Sequence, residues 1–242
     1  KTFVYNISYI FNDKSIKDSD TPIFASEAFT KTDLRPRMVE IIERENISKE
    51  LAEFAARTSQ GHIGIARHLA TNQELRDSRL ATLKLPLMVK DISTAYKAAE
   101  ILINSAKIQA ESDSENRSQL ELVNLKQAWG STGSKMASGG AKAIKELEKE
   151  QKTRGTRMVR DYLDRGLLDL ATLYRDILLI QFGSVDNLIN QDIKNEITKI
   201  ANSTTESKTL LKIQAILRAR VNLMHSSAIL LTMEALMLEL KD

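Results

Sequence analysis

From Asp33 to the end of the chain, apolar residues recur at intervals of three and four positions, which is the period of an α-helix. Leu51, Phe54, Ala55 and Thr58 follow this pattern, and Ser48 in front of them is a residue type that caps helix N-termini. Gly61 ends this helix and a further helix is predicted over 62–70. The pattern predicts an all-α protein.

The next helix boundaries are predicted from capping residues and prolines. Thr71 and Glu74 have the spacing of a capping box, which opens a helix. Pro86 is expected to begin a longer helix, and the polar segment 111–119, "ESDSENRSQ", is expected to interrupt it. The glycine-rich segment 129–140 predicts a flexible loop.

A second long helix is predicted over 141–182 and ends before Gly183. Its charged first half is expected to project from the protein, and its apolar second half to pack. Ser184 and Thr204 or Thr205 are expected to cap two more helices. The last helix carries a broad apolar seam, which is typical of helices that bury against neighbours of the same chain or of another.

The first 33 residues differ from the rest. An aromatic and β-branched run from Phe3 to Phe11 and a turn-rich segment predict one or two strands or an irregular extension. We therefore predict a short β-like stub over 1–33, a compact helical bundle over 34–88 and a larger helical domain over 89–242. Because the chain begins at Lys1 rather than at a methionine, we expect it to be a fragment of a longer protein.

Composition permits a substantial core, since 42% of the 242 residues are hydrophobic and 28% are charged. The net charge of +3 indicates no particular partner. The absence of cysteine excludes disulfides, thiolate zinc sites and cysteine nucleophiles. No run is long and apolar enough to predict a membrane span, and no partner in a membrane is expected.

Motifs for catalysis, cofactors and metals are missing from the sequence. His62, His68 and His225 lack the spacing of a helical metal site. The segment around Lys135 has glycines but places Met136 where a P-loop needs a hydroxyl. We expect no catalytic, cofactor-binding or metal-binding residues, and a chain that is not an enzyme by itself.

One helix has a local excess of basic residues, with nine Lys and Arg against five Asp and Glu between Lys135 and Arg165. Such an excess can meet nucleic-acid phosphates by counterion release, although a solvated helix face accounts for it as well. The possible DNA-facing residues are Lys142, Lys145, Lys149, Lys152, Arg154 and Arg157.

The segment around Gly61, "TSQGHIGIARHLA", is part of a longer resemblance to a known family. With the preceding "FTKTDLRPRMVEIIERENISKELAEFAAR", this segment resembles the lid of the delta-prime subunit of the bacterial DNA polymerase III clamp loader, in its actinobacterial form. The likeness continues through "KELEKEQKTRGTRMVRDYLDRGLLDLATLYRDILL" to "AILRARVNLMHSSAILLTMEALMLEL". It covers about residues 34–242.

The resemblance implies a small helical lid of the AAA+ type over 34–88 and a helical collar over 89–242 that joins subunits into a ring. It implies that residues 1–33 are an extension or the remnant of a missing RecA-like domain. The lid turn would involve Gly61, Gly64 and Arg67. The partner-binding collar seam would consist of Leu223, Ile229, Leu230, Met233, Leu236, Met237 and Leu240.

Two departures limit the activity that the resemblance implies. The position of the nucleotide-sensing arginine of motor subunits falls at Gly64, with Arg67 about one turn further on. The region before the lid lacks the Ser-Arg pair with which delta-prime subunits reach a neighbour's ATP. We therefore interpret the turn at Gly61 as a structural turn that descends from a nucleotide-sensing segment. We expect that the chain does not hydrolyse ATP.

The resemblance implies a cytoplasmic, non-catalytic clamp-loader subunit that binds the ATPase subunits and delta, and DNA only indirectly or weakly. The alternative is a stand-alone helical nucleic-acid-binding or regulatory module that uses the basic helix over 142–165.

Overall fold

The computed structural model describes residues 31–128, 140–185, 188–225 and 227–241. In this part of the chain all regular structure is helical, which confirms the all-α class. The α-helices are α1 (Lys31–Glu43), α2 (Lys49–Thr58), α3 (Ile63–Thr71), α4 (Gln73–Met88), α5 (Ile92–Ala128), α6 (Gly140–Gln181), α7 (Lys194–Ser203), α8 (Glu206–Met224) and α9 (Ile229–Leu240). A 3₁₀ turn, Gln191–Ile193, precedes α7.

Two sequence predictions fall largely outside the described residues. The β-like stub over 1–33 lies there except for residues 31–33, which begin α1. The flexible loop over 129–140 lies there except for Gly140, which begins α6.

The described residues form two compact units. The first contains the residues up to Met88 and Leu167–Val221, and the second contains Val89–Gly166 and the residues from Asn222 onward. The boundary between Met88 and Val89 coincides with the predicted end of the lid, but residues 167–221 group with the lid helices and not with the rest of the expected collar. The assignment of lid and collar domains stays a prediction.

In the first unit, α1, α2 and α3 pack around a small apolar core. Ile42 and the small residues Ala52, Ala55 and Ala66 are completely buried. Small side chains let helix backbones approach closely, so that three short helices can exclude water from their centre. Further buried leucines and isoleucines of this unit come from α4, α6, α7 and α8.

In the second unit, α9 packs along α5. The side of α5 that is buried carries Ala95, Ala99, Leu102, Ala106 and Ala110, which recur at the helical period. The small residues of this stripe again allow two helices to lie close together.

The helix that follows Pro86 begins later than predicted. Pro86 lies in the last turn of α4, where it removes one backbone hydrogen bond of the helix, and α4 ends two residues later at Met88. The start of α5 is marked by Asp91 and Thr94. Asp91 Oδ1 accepts a hydrogen bond from the Thr94 N–H at 2.8 Å, and Thr94 Oγ1 accepts one from the Asp91 N–H at 2.9 Å. This reciprocal pair caps the helix.

The expected interruption at 111–119 is also wrong, because α5 continues through it to Ala128. Polar contacts sustain the helix there. The Arg117 guanidinium donates to Glu121 one turn away at 2.9 Å, and Gln151 of α6 donates to the Ser118 carbonyl at 3.0 Å. Polar side chains therefore contribute contacts between these two helices along this segment.

Two capping predictions need correction. Asn72, not Thr71, accepts the hydrogen bond from the Leu75 N–H at the start of α4. Ser184 belongs to the end of α6: its N–H donates to the Leu179 carbonyl and the Gly183 N–H to the Ile180 carbonyl, both at 2.9 Å, with Gly183 at φ +78°. This is the Schellman arrangement that closes a helix C-terminus.

Candidate functional site

The predicted lid turn lies between α2 and α3. Gln60 and Gly61 both have positive φ, 55° and 85°, and the His62 N–H donates to the Ser59 carbonyl at 3.1 Å. Two consecutive left-handed residues reverse the chain over a short distance, and glycine adopts this conformation without steric cost. Gly61 therefore has a clear backbone role in this corner.

Gly64 and Arg67 lie on the exposed side of α3. A Cβ atom added to Gly64 would meet nothing within 4 Å, so packing in the described chain does not require glycine there. Arg67 Nε donates to Glu45 Oε1 at 2.6 Å. In this conformation a carboxylate of the same unit neutralises the Arg67 guanidinium.

The predicted collar seam is divided between the interior and the surface of the second unit. Leu223, Met233, Leu236, Met237 and Leu240 are buried within it, whereas Ile229 is half-buried and Leu230 is 53% exposed. Because α9 packs on α5, the buried residues of α9 already have apolar neighbours in their own unit. Their role in binding a partner stays a prediction.

An apolar surface that the sequence analysis missed lies on the opposite side of α9. Leu231 is 67% exposed beside Leu230, and Leu238 is half-buried two turns further on. In the same unit, Ile108 and Leu120 of α5 are 67% and 63% exposed. The sequence does contain a signal for this surface, because the last helix has more apolar residues than a single buried stripe requires.

The six basic residues proposed to face DNA are distributed over the first half of α6. Lys142, Lys145, Lys149 and Lys152 are exposed, and their spacing of three and four positions places them on one side of the helix. Arg157 is exposed as well.

Arg154, by contrast, binds a carboxylate of its own unit. Its Nη1 and Nη2 donate to the two Glu121 oxygens at 3.0 and 2.7 Å. These hydrogen bonds, with those from Arg117 and Gln151, lower the pKa of Glu121 to about 2. A guanidinium held in two hydrogen bonds is not available to phosphates without breaking them.

The first unit also contains a buried polar network that the sequence analysis did not find. Asp176 of α6 is completely buried and accepts hydrogen bonds from the Ile189 and Asn190 N–H groups at 3.0 and 2.7 Å. Asn190 Nδ2 donates to the same carboxylate at 2.9 Å, and Arg175 Nη1 donates to it at 2.8 Å. Burial raises the pKa of Asp176, and these hydrogen bonds and the Arg175 charge act in the opposite direction.

Arg79 of α4 belongs to the same network. Its Nε donates to Asp169 Oδ1 at 3.0 Å, and its Nη2 donates to Asn190 Oδ1. Charged residues are rarely buried without partners, but the spacing of Arg79, Asp169 and Asp176 in the sequence does not indicate that they meet.

In the part of the chain that the structure describes, no group of three or more His, Asp or Glu side chains could hold a metal ion. None of the described helices has the length and the apolar character needed to cross a membrane. Comparisons with models of protein families, with curated proteins and with solved structures found no match.

Proposed function

We propose that this chain is a non-catalytic subunit, or the lid and collar portion of one, of a bacterial clamp loader. It would act in the cytoplasm by binding the ATPase subunits and delta in the ring that loads the sliding clamp. The proposal rests on the ordered resemblance over residues 34–242 and is supported by the exposed apolar side of α9.

The structural observation that supports the proposal is the two-sided character of α9. Met233 and Met237 face the interior of the second unit and are completely buried, while Leu230 and Leu231 remain in water. Contiguous exposed apolar residues are typical of surfaces that bind another protein. Docking of partner helices on this side would be driven by apolar burial, at about 25 cal/mol per Å² of apolar surface removed from water.

The burial of each α9 residue decides which substitutions can test the collar role. Replacing Leu236 or Leu240 would damage the core of the unit, since both are at most 2% exposed. Leu230 and Leu231 can instead be changed to lysine at the surface, where substitutions alter the free energy of unfolding by only about 0.5 kcal/mol.

The test is light scattering on a sizing column, with the chain mixed with the ATPase and delta subunits of the same organism. We expect a co-eluting complex of defined mass that the double variant Leu230→Lys, Leu231→Lys loses. The control is Leu211→Lys on α8, an equally exposed leucine of the first unit (61%), which should leave the complex intact. No complex with the unchanged chain, or equal loss with both variants, would refute the proposal.

A second candidate function is supported by the four exposed lysines on one side of α6. A row of cations can follow a nucleic-acid backbone and release counterions from it. In this case the isolated chain should bind DNA in a fluorescence anisotropy titration, with an affinity that falls steeply as salt rises. Changing Lys145 and Lys149 to glutamine should weaken binding, while Lys84→Gln on α4 should not. The absence of DNA binding, or binding that is unaffected by the changes at Lys145 and Lys149, would reject this candidate.

A further inference from the structure

The exposed side of α9 carries a stripe of three apolar residues, which we call the outer stripe. It consists of Leu231, Ala235 and Leu238, whose spacing of four and three positions places them on one side of the helix. Leu231 is 67% exposed, Ala235 is exposed and Leu238 is half-buried. A small residue between two large ones leaves a depression at Ala235, of the kind that receives a side chain from a facing helix.

Glu234 lies beside this depression. It is half-buried and directly precedes Ala235 in the sequence. In the described part of the chain, its carboxylate has neither an ion pair nor a hydrogen bond. The other charged residue of α9 is Glu239, so this helix carries two carboxylates and no cation. The outer stripe is therefore apolar with an acidic edge, and it is complementary to a surface that is apolar with a basic edge.

A second copy of this chain does not fit the outer stripe. If two α9 helices packed antiparallel across it, their Glu234 side chains would lie on the same side of the pair and close together. If they packed parallel, Glu234 of one copy would face Glu239 of the other, because these residues occupy the flanking positions g and e when Leu231 and Leu238 occupy position d. Like charges that face each other disfavour both arrangements.

We infer that the outer stripe receives one helix of a partner subunit, which inserts a large apolar side chain at Ala235 and places a lysine or arginine beside Glu234. This inference rests on the proposed clamp-loader function and specifies the chemistry of the partner's surface. Apolar burial around the contact excludes water from the ion pair and so strengthens it. The outer stripe spans only about 10 Å along the helix axis, so it forms one part of a larger interface between subunits.

Replacing Ala235 with leucine tests the depression. If the outer stripe bound its partner only as an apolar patch, Ala235→Leu would strengthen binding, since it adds apolar surface. If a partner side chain inserts there, leucine fills its place, and the dissociation constant for the ATPase and delta subunits of the same organism should rise about tenfold or more. Isothermal titration calorimetry of the full chain measures this constant. The control is Ala81→Leu at an exposed alanine of α4, which should leave it unchanged.

Charge reversal at Glu234 tests the ion pair. Glu234→Lys should weaken the complex about tenfold or more, because it places two cations together, and Glu234→Gln should weaken it less. Sodium chloride should weaken the complex of the unchanged chain more than that of Glu234→Gln, since the variant has no ion pair to screen. Glu40→Lys, at an exposed glutamate of α1, should have no effect on the dissociation constant.

Circular dichroism checks that each variant is folded. A complex that either Ala235→Leu or Glu234→Lys leaves as tight as before would overturn this inference and leave the proposed function intact. No complex with the unchanged chain would overturn both. A homodimer of the isolated chain that Ala235→Leu disrupts would show that a second copy occupies the outer stripe, which also overturns the inference.

Discussion

Arg79 and Asp169 form a buried ion pair across 90 positions of the sequence, with Arg79 Nε 3.0 Å from Asp169 Oδ1. The two side chains are only 3% and 5% exposed. The Arg79 guanidinium also lies 5.8 Å from the centre of the Phe54 ring, so one side chain joins α2, α4 and α6. Such a pair fixes how these helices pack, provided that both charges remain.

Removing one member of this pair should be strongly destabilising. Asp169→Ala leaves the Arg79 charge buried without its carboxylate, and we expect the free energy of unfolding to fall by about 3–5 kcal/mol. Urea unfolding followed by circular dichroism measures this change. The double variant Arg79→Met, Asp169→Leu should recover most of the loss, since it removes both charges together.

The matched control is the exposed pair of Lys49 and Glu53, whose charged atoms are 4.0 Å apart. Glu53→Ala should change the free energy of unfolding by no more than about 1 kcal/mol, because water solvates both charges. A cost for Asp169→Ala as small as that for Glu53→Ala would show that the buried pair does not hold the helices together.

The helices themselves follow from local sequence, and this explains why most of them could be predicted. The buried stripe Ala95, Ala99, Ala106 recurs at the helical period, and Gly61 and Gly183 mark helix ends with positive φ. Pro86 was expected to begin a helix because proline is favoured in the first turn, but here it lies in the last turn of α4. Asp91 and Thr94 carried the true start signal for α5.

The two glycines of the predicted lid turn should respond in opposite directions to alanine. Gly61 has φ 85°, so Gly61→Ala should lower the free energy of unfolding by about 1 kcal/mol or more. Gly64 lies inside α3 with open space where a Cβ would be, so Gly64→Ala should raise it by up to about 1 kcal/mol. Urea unfolding of both variants checks the signs, and equal signs would contradict this account of the turn.

The pKa of Glu121 should lie far below that of an ordinary glutamate. Hydrogen bonds from Arg154, Arg117 and Gln151 lower its pKa from 4.5 to about 2. Since the lowered pKa belongs to the folded state, the stabilisation is fully present above about pH 4.5 and is lost as the pH falls through about 2. Carbon-13 NMR of the side-chain carboxyl measures the midpoint directly.

The control for this titration is Arg154→Gln, which removes the two hydrogen bonds at 3.0 and 2.7 Å. Its Glu121 midpoint should move up toward 4.5, the ordinary value. Lys142→Gln should leave the midpoint unchanged, because Lys142 pairs with Glu146 instead. A midpoint near 4.5 in the unchanged chain would mean that the contacts with Arg154 do not persist in solution.

The candidate sites were harder to predict than the helices, because they depend on which helices meet. The apolar residues of α9 were identified, but the sequence does not say that Met233 and Leu236 bury against α5 while Leu231 stays exposed. The buried contact between Arg79 and Asp169 brings together residues from α4 and α6. Helical periodicity defines the faces of one helix, not the neighbour that each face receives.

This division of α9 gives the last prediction, which separates a core role from a docking role for two leucines of one helix. Leu236 is 2% exposed, so Leu236→Ala should lower the free energy of unfolding by about 2–5 kcal/mol, through lost burial and the cavity left behind. Leu230 is 53% exposed, and Leu230→Ala should change it by no more than about 0.5 kcal/mol. Urea unfolding of the isolated chain measures both. A large cost for Leu230→Ala would show that the exposed side is already covered in solution, for example by a second copy of the chain, and the cost would then rise with protein concentration.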